Sequence, residues 1–588
     1  MVPFVQVVDA MRYHVLAADY DGTLAHHGHI EEATWAALHR LRDSGRKVVM
    51  VTGRQLDDLL GLLPEPELFA RIVAENGAVI HVPATKETRA LAEPPPAAFA
   101  DELRRRGVDR VTAGRVIVAS WEPHQNAILH AIRDLGLELQ VIFNKGAVMV
   151  LPTGVNKATG LVAALAELGL SPRNTVAVGD AENDHALLVA CECGAAVANA
   201  LPALKGHADV VLAGDHGAGV AELIDRLIAN DLADSAPARH RIEIGRADDE
   251  AIWFDPYAAN IIVCGPSGSG KSTLTTGILE RLSKCGYQFA IIDPEGDYGS
   301  LEQAVVLGGS QREPLVEEVV DVLRDPTRNL VANLLGVAVA HRPECFARLV
   351  PAIADLRTRT GRPHWLVVDE AHHMLPAARE PGDATVVRPH GTIYVTVHPG
   401  SMSPAILKTI DTLLAVGERP IDRVIELCQA AGCPPPSIHA PDRLPAGSAL
   451  YWKVGSAQTS VLEVEQPRQE RKRHSRKYVE GNIGSRRSFY FRGPEAKLNL
   501  KAHNLLLFVD LGDGVDDETW EFHRRNGDYS RWFRDEVKDD ELASEAEAIE
   551  RGEQTPAESR AAIRAAVEKR YTLPADQPSG IVDEVAQA

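Results

Sequence analysis

Two aspartates stand two residues apart in VLAADYDGTL: Asp19 and Asp21, directly after an apolar run. One such carboxylate can attack phosphorus, and the other can protonate the leaving oxygen and then activate water. Thr52 ends a second apolar run, VVMVTGR, where its hydroxyl and the adjacent backbone N–H suit a phosphate oxygen. Lys157, in GVNKATGL, opens a helical pattern and supplies a charge that can neutralise both phosphate and nucleophile. GDAENDHAL adds Asp180, Asn183 and Asp184, so that oxygen ligands for magnesium would come from Asp19, Asp21, Asp180 and Asp184.

A second chemistry is written at 265–273. GPSGSGKST fits GxxxxGK[ST] between the apolar NIIVC and the helical pattern TLTTGILERL. Gly265, Gly268 and Gly270 let the loop carrying Ser269 and Thr273 wrap phosphates with its N–H groups inward. Lys271 would reach the β- and γ-phosphates of ATP, and Ser272 would ligate magnesium. HWLVVDEAHHMLP supplies the matching acidic strand end, with Asp369 holding magnesium and Glu370 polarising the attacking water.

Residues at these positions need strands that end together. HVLAADYDG, KVVMVTG, RIVAEN, NTVAVGD and DVVLAG read as buried strands alternating with helices, the pattern of a parallel sheet covered on both faces. RVIVASW, LELQVIF and AVMVLP break that rhythm and predict an inserted α+β unit over about 81–150. His124, Trp121, Asn144 and Lys145 belong to this insert and could face the site. A polar linker is expected at 230–240, closing a first unit at 1–229. NIIVCG, QFAIIDP, HWLVVDEAHH, TIYVTVH and TLLAVGE then predict a second α/β unit over 241–466. The remainder, 467–588, reads as a mainly helical region: a basic run at 468–477 (Arg471, Lys472, Arg473, His474, Arg476, Lys477), a Trp-containing helical pattern, and an Ala/Glu-rich tail.

The 588 residues are 45% apolar and 24% charged, with a formal net charge of -20 and a pI near 5.6. That charge opposes general adhesion to nucleic acid or anionic membrane. No apolar run reaches the roughly 18 residues of a membrane span. Seven cysteines, with Cys191 and Cys193 the one close pair, fit a reducing cytoplasm better than a disulfide framework.

Taken in order, the segments around Asp19, Thr52, Lys157 and Asp180 resemble the four signature motifs of the haloacid dehalogenase superfamily. ENGA at 75–78 and the position of the insert resemble its Cof-type branch with a C2 cap. The resemblance implies a Rossmann-like core with an α+β cap. It implies an aspartyl-phosphate on Asp19, acid/base work by Asp21, and magnesium held by Asp19, the Asp21 carbonyl and Asp180. DYDGTL is also similar to the opening motif of trehalose-phosphate phosphatases, which implies a small phosphorylated metabolite such as a sugar phosphate. The segment 241–466, with IIDPEGDYGSL, resembles the HerA/FtsK-type ATPases. That implies a RecA-like fold, a homo-oligomeric ring such as a hexamer, and an arginine reaching into a neighbour's site, for which Arg419 and Arg423 are candidates. His398 takes a position where that family usually carries Gln. Nucleic acid is a partner under this second resemblance.

Overall fold

The computed structural model describes residues 11–235, 237–257, 259–377, 391–467, 487–537 and 539–571. The basic run at 468–477 and the end of the Ala/Glu-rich tail lie outside these residues.

The first sheet has eight strands, in spatial order Val210–Val211, Cys193–Ala196, Thr175–Gly179, Val15–Ala18, Lys47–Val51, Arg71–Ala74, Val79–Val82 and Glu87–Ala90. The first six run parallel. Their continuous apolar runs follow from burial of both faces, and the helices Glu32–Asp43, Lys157–Glu167 and His216–Asn230 pack into the same core. Ala18 pairs with both Val178 and Met50. This register brings Asp19, Thr52 and Asp180 to one sheet edge.

The expected insert boundary needs correction. Val79–Val82 and Glu87–Ala90 are an antiparallel hairpin added to the first sheet, so residues 81–90 are not part of the inserted unit. The insert's own sheet comprises Thr112–Ala113, Val118–Trp121, Ala147–Pro152 and Leu139–Asn144, all antiparallel. Phe99 and Leu103 of one helix and Ile128 and Ala131 of another cover it. The hairpin strands VIHV and ETRA carry nothing that names their partner strand, which is why the sequence pattern counted residues 81–90 with the insert.

The second large sheet has eleven strands. Seven are parallel: Thr412–Ala415, Asn260–Cys264, Thr392–Thr396, Trp365–Val368, Phe289–Asp293, Asn329–Asn333 and Ala304–Gly308. Four antiparallel strands extend one edge: Ser448–Lys453, Ser460–Val464, Ile242–Ala247 and Glu250–Phe254. Ile262, Ala290 and Ile292 enter one apolar core, while Ile261, Val263, Phe289 and Ile291 enter another. Successive side chains therefore bury opposite faces of the same strands.

The segment 230–240 is not a loose tether. Leu232 is fully buried, and Arg239 donates to the carbonyls of Leu188 and Cys191 and to Asp209. Beyond it the two large sheets meet at the ends opposite their Asp19 and Asp369 edges. Asn174 precedes one strand and His364 precedes another, and the Asn174 Oδ1 and His364 Nε2 atoms are 3.0 Å apart. Glu192 is fully buried at the same seam, accepting from Arg12 at 2.5 Å and from Tyr287 Oη at 2.8 Å.

The C-terminal region is mainly helical. A two-stranded hairpin, Phe489–Phe491 with Leu500–Ala502, precedes five helices between Leu505 and Arg570. Phe489, Phe491, Phe508, Trp520, Tyr529, Trp532 and Phe533 form its core. No described helix is long and apolar enough to cross a membrane.

Candidate active sites

Asp19 follows its strand and is buried. Lys157 Nζ donates to Asp19 Oδ1 and to Asp184 Oδ1, each at 2.6 Å. Lys157 is the first residue of its helix because Asn156 caps it: Asn156 Oδ1 accepts from Thr159 N, and Thr159 Oγ1 accepts from Asn156 N. Burial alone opposes the lysine's charge, but Asp184 and Asp19 hold its pKa above the ordinary value. Burial, together with the nearby Asp184 charge, pushes the Asp19 carboxyl upward, against the pull of Lys157. Asp184 Oδ2 accepts from the backbone N–H groups of Asp180 and Ala181, so this side chain also shapes the loop that presents Asp180.

Asp19, Asp180 and Asp184 each bring a carboxylate oxygen within 4.8 Å of the others. Oxygen donors gathered in this way fit magnesium. The Lys145 ammonium, lying against Asp180 Oδ2 and the Asp21 carbonyl, marks the same place as one that draws a cation.

Asp21 is half-exposed, and Arg54 grips both of its carboxylate oxygens at 2.7 Å. Thr52 is fully buried. Its Oγ1 accepts from Arg54 N, which leaves the hydroxyl proton free to donate. Asn183 Nδ2 donates to Asn76 Oδ1 at 3.0 Å, tying the acidic loop to the ENGA turn. Glu75 of that turn accepts from the backbone N–H groups of Arg115, Val116 and Ile117, and so anchors the root of the insert. Of the insert residues, Lys145 reaches the carboxylates, whereas His124 pairs with Asp109 inside the insert. Trp121 lies beside Gly146 at the tip. Asn144 Oδ1 and Asn183 Oδ1 are buried without a partner. Sequence reading missed Arg54 and Glu75. TGR and ENG were visible as motifs, but their partners are distant in the chain.

In the second site, Gly265, Gly268 and Gly270 all have positive φ, of 153°, 79° and 99°. Such backbone is what a phosphate-wrapping loop requires. Lys271 Nζ folds back onto the carbonyls of Gly265 and Pro266, and Ser269 Oγ donates to Pro266 O. Ser272 and Thr273 occupy the first turn of the following helix, Lys271–Lys284. Asp369 is buried at its strand end, and burial followed by Glu370 pushes its pKa well up. Glu370 adopts a left-handed backbone, φ 44° and ψ 46°, a costly conformation for this residue type that re-aims the chain beside the loop. Glu370, His372 and His373 also gather ligand atoms within 4.8 Å. Asp293, of DPEGDY, accepts from the N–H groups of Gly296, Asp297 and Tyr298, so it builds the turn. Arg423 is held in its own chain by Glu426 and faces His398, whereas the Arg419 side chain is 73% exposed and pairs with Asp422.

A profile of the haloacid dehalogenase-like hydrolases matches residues 16–96 and 117–224, and a profile of the AAA domain matches 256–389. The phosphoglycolate phosphatase of Natronomonas pharaonis is 32% identical over 223 residues, which is 36% of this chain and 96% of that enzyme. The chain belongs to the haloacid dehalogenase-like hydrolases. A second phosphoglycolate phosphatase, from Methanothermobacter thermautotrophicus, is 29% identical over 222 residues, covering 36% of this chain and 98% of its own. A solved haloacid dehalogenase-like hydrolase from Bacteroides thetaiotaomicron is 21% identical, covers 37% of this chain and 99% of its own, and has a TM-score of 0.32. The chain is thus a haloacid dehalogenase-type hydrolase joined to an AAA-type, ATP-binding P-loop unit.

Proposed function

We propose that the hydrolase half is a phosphomonoesterase working through Asp19, on a small phosphorylated acid of the phosphoglycolate kind. The observation that carries this is the Asp19–Lys157–Asp184 arrangement, a buried carboxylate held at 2.6 Å by an ammonium beside a second acidic group. Asp19 Oδ attacks phosphorus, and the bond to the ester oxygen breaks. Asp21 serves as the acid that delivers a proton to the leaving oxygen. Asp21 then takes a proton from water as that water attacks phosphorus, releasing phosphate and restoring Asp19. Arg54 must loosen its grip on Asp21 for either transfer. Lys157 and the Thr52 hydroxyl hold the phosphoryl oxygens. Asp19, Asp180 and the Asp21 carbonyl, with Asp184 behind them, would hold magnesium, whose charge would offset that of the phosphate. The cap is read as the C2 type of the Cof branch. The names of the relatives favour a phosphorylated acid over the sugar phosphate that DYDGTL suggested.

The test is to expose Asp21→Asn protein to phosphoglycolate, a sugar phosphate and p-nitrophenyl phosphate, and then digest it. A phosphoryl group on the Asp19 peptide, sensitive to hydroxylamine, is expected. A labelled peptide elsewhere, or none with any ester, defeats the assignment.

The ATPase half is read as HerA/FtsK-like, with Lys271 and Ser272 on ATP and magnesium, Asp369 on magnesium, and Glu370 aligning water. The exposed Arg419 favours a ring in which it completes a neighbour's site, and Arg423 is already engaged in its own chain. Mixing Lys271→Ala with Arg419→Ala protein should restore part of the ATPase activity. A DNA-stimulated rate would favour the nucleic-acid motor as the work of this half.

A further inference from the structure

The insert's tip is a two-residue reversal. Asn144 pairs with Ala147, leaving Lys145 and Gly146 as the turn, with φ of 47° and 85°. Two positive φ values match the tight hairpin turns in which Asn-Gly is the low-cost choice. A lysine in left-handed backbone is a costly occupant of the first position. Its side chain crosses from the insert to the core. Nζ stands 2.5 Å from Asp180 Oδ2 and 3.2 Å from the Asp21 carbonyl, and Asp180 is itself only 2% exposed. Gly22 makes the room, since a Cβ there would lie 2.4 Å from the ammonium. Beside the tip, the Asn144 amide oxygen is buried and unpartnered.

These contacts fall on two of the groups read above as magnesium ligands. We propose that Lys145 is a cap-borne cation that competes with the divalent ion for the Asp180 carboxylate and the Asp21 carbonyl. On this proposal the contact holds the cap tip down until a divalent ion enters. Entry of the metal expels the ammonium, because two cations cannot share one carboxylate oxygen at contact distance without strong repulsion. The contact is to the Asp21 backbone carbonyl, while the Asp21 carboxylate is held by Arg54. Lys145 is carried on the insert, so the displaced ammonium stays on the insert's side of the site and takes an anion that the leaving group carries, which makes Lys145 the residue selecting a phosphorylated acid over a neutral ester. This inference rests on the phosphatase reading for its second half alone.

The test compares the full-length protein with Lys145→Gln, a neutral side chain of similar length, without nucleotide. Magnesium binding is measured by calorimetry, and heat that disappears in Asp180→Asn is assigned to this site. Removing a competing charge should tighten magnesium binding about tenfold, within the usual range of coupling between two ligands. Hydrogen exchange at 139–150 should be slower in metal-free wild type than in metal-free Lys145→Gln, with magnesium abolishing the difference. Against phosphoglycolate, kcat/KM should fall about tenfold relative to p-nitrophenyl phosphate, as for one lost charge-assisted contact. Unchanged or weaker magnesium binding in Lys145→Gln overturns the competition, whatever the activity. Equal loss on both esters overturns the selection role. If neither protein cleaves any ester while the variant still binds magnesium more tightly, the phosphatase reading fails and the competition stands.

Discussion

Lys157 places one ammonium between two buried carboxylates, Asp19 and Asp184. Removing it leaves two acidic groups buried without the cation they share. Lys157→Met should therefore destabilise the protein as well as stop phosphate release, by about 3–5 kcal/mol, the usual cost of stripping one partner from a buried ion pair. Chemical denaturation at neutral pH measures this. A variant of unchanged stability would contradict an ion pair at this position. Residues of this kind were legible because the phosphate motifs keep each group next to its own strand end. Lys145 was named as an insert residue that could face the site, but its partner Asp180 was not, and Arg54 was not assigned: the carboxylate partners lie 35 and 33 positions away and nothing local marks the pairing.

The turn 75–78 shows what an element contributes. Gly77 has φ 104°, and a Cβ there would stand 1.9 Å from the carbonyl oxygen of Asn156. Asn156 caps the helix that begins with Lys157, so Gly77 is the floor on which the lysine is set. Gly160, one turn further on, would clash with Gly77 in the same way, at 2.6 Å. Gly77→Ala should cost about 2–4 kcal/mol through overpacking and strained backbone. It should also lower kcat for phosphate release while the ATPase rate is kept. Thermal denaturation and the two rates check this, and loss of stability with normal kcat would separate packing from positioning. ENGA could be matched as a pattern from sequence. Its reason, close approach of two chain segments about 80 positions apart, exists only once the sheet is formed. For the same reason residues 81–90 were counted with the insert, since a strand pattern does not name its partner.

At the scale of the whole molecule, both sheets turn their motif-bearing edges away from a shared, buried seam. His14 and His240 are held down to about 4 by burial, and burial with the nearby Arg362 and Arg357 charges puts His364 well below the usual histidine range. The unfolded chain therefore binds protons first as pH falls. Stability is full above about pH 6.5 and declines as pH drops toward 4, by on the order of 3 kcal/mol for His14 alone. Urea midpoints between pH 7 and 4.5 would show that loss, and His14→Gln should flatten it. A midpoint independent of pH would contradict neutral buried histidines. The alternating strand and helix pattern made two α/β units legible, but the seam joins residues scattered from Arg12 to His364 and had no signature in sequence. The chain carries two chemically separate sites, and their independence can be read from one set of samples. Phosphate release from p-nitrophenyl phosphate and ATP hydrolysis are followed in the same samples of full-length wild type, Asp19→Asn and Lys271→Ala. Asp19→Asn should lose the first activity at least about 10³-fold and keep the second, and Lys271→Ala should do the reverse. Loss of both activities in either well-folded variant, or retention of ester cleavage in Asp19→Asn, would contradict it.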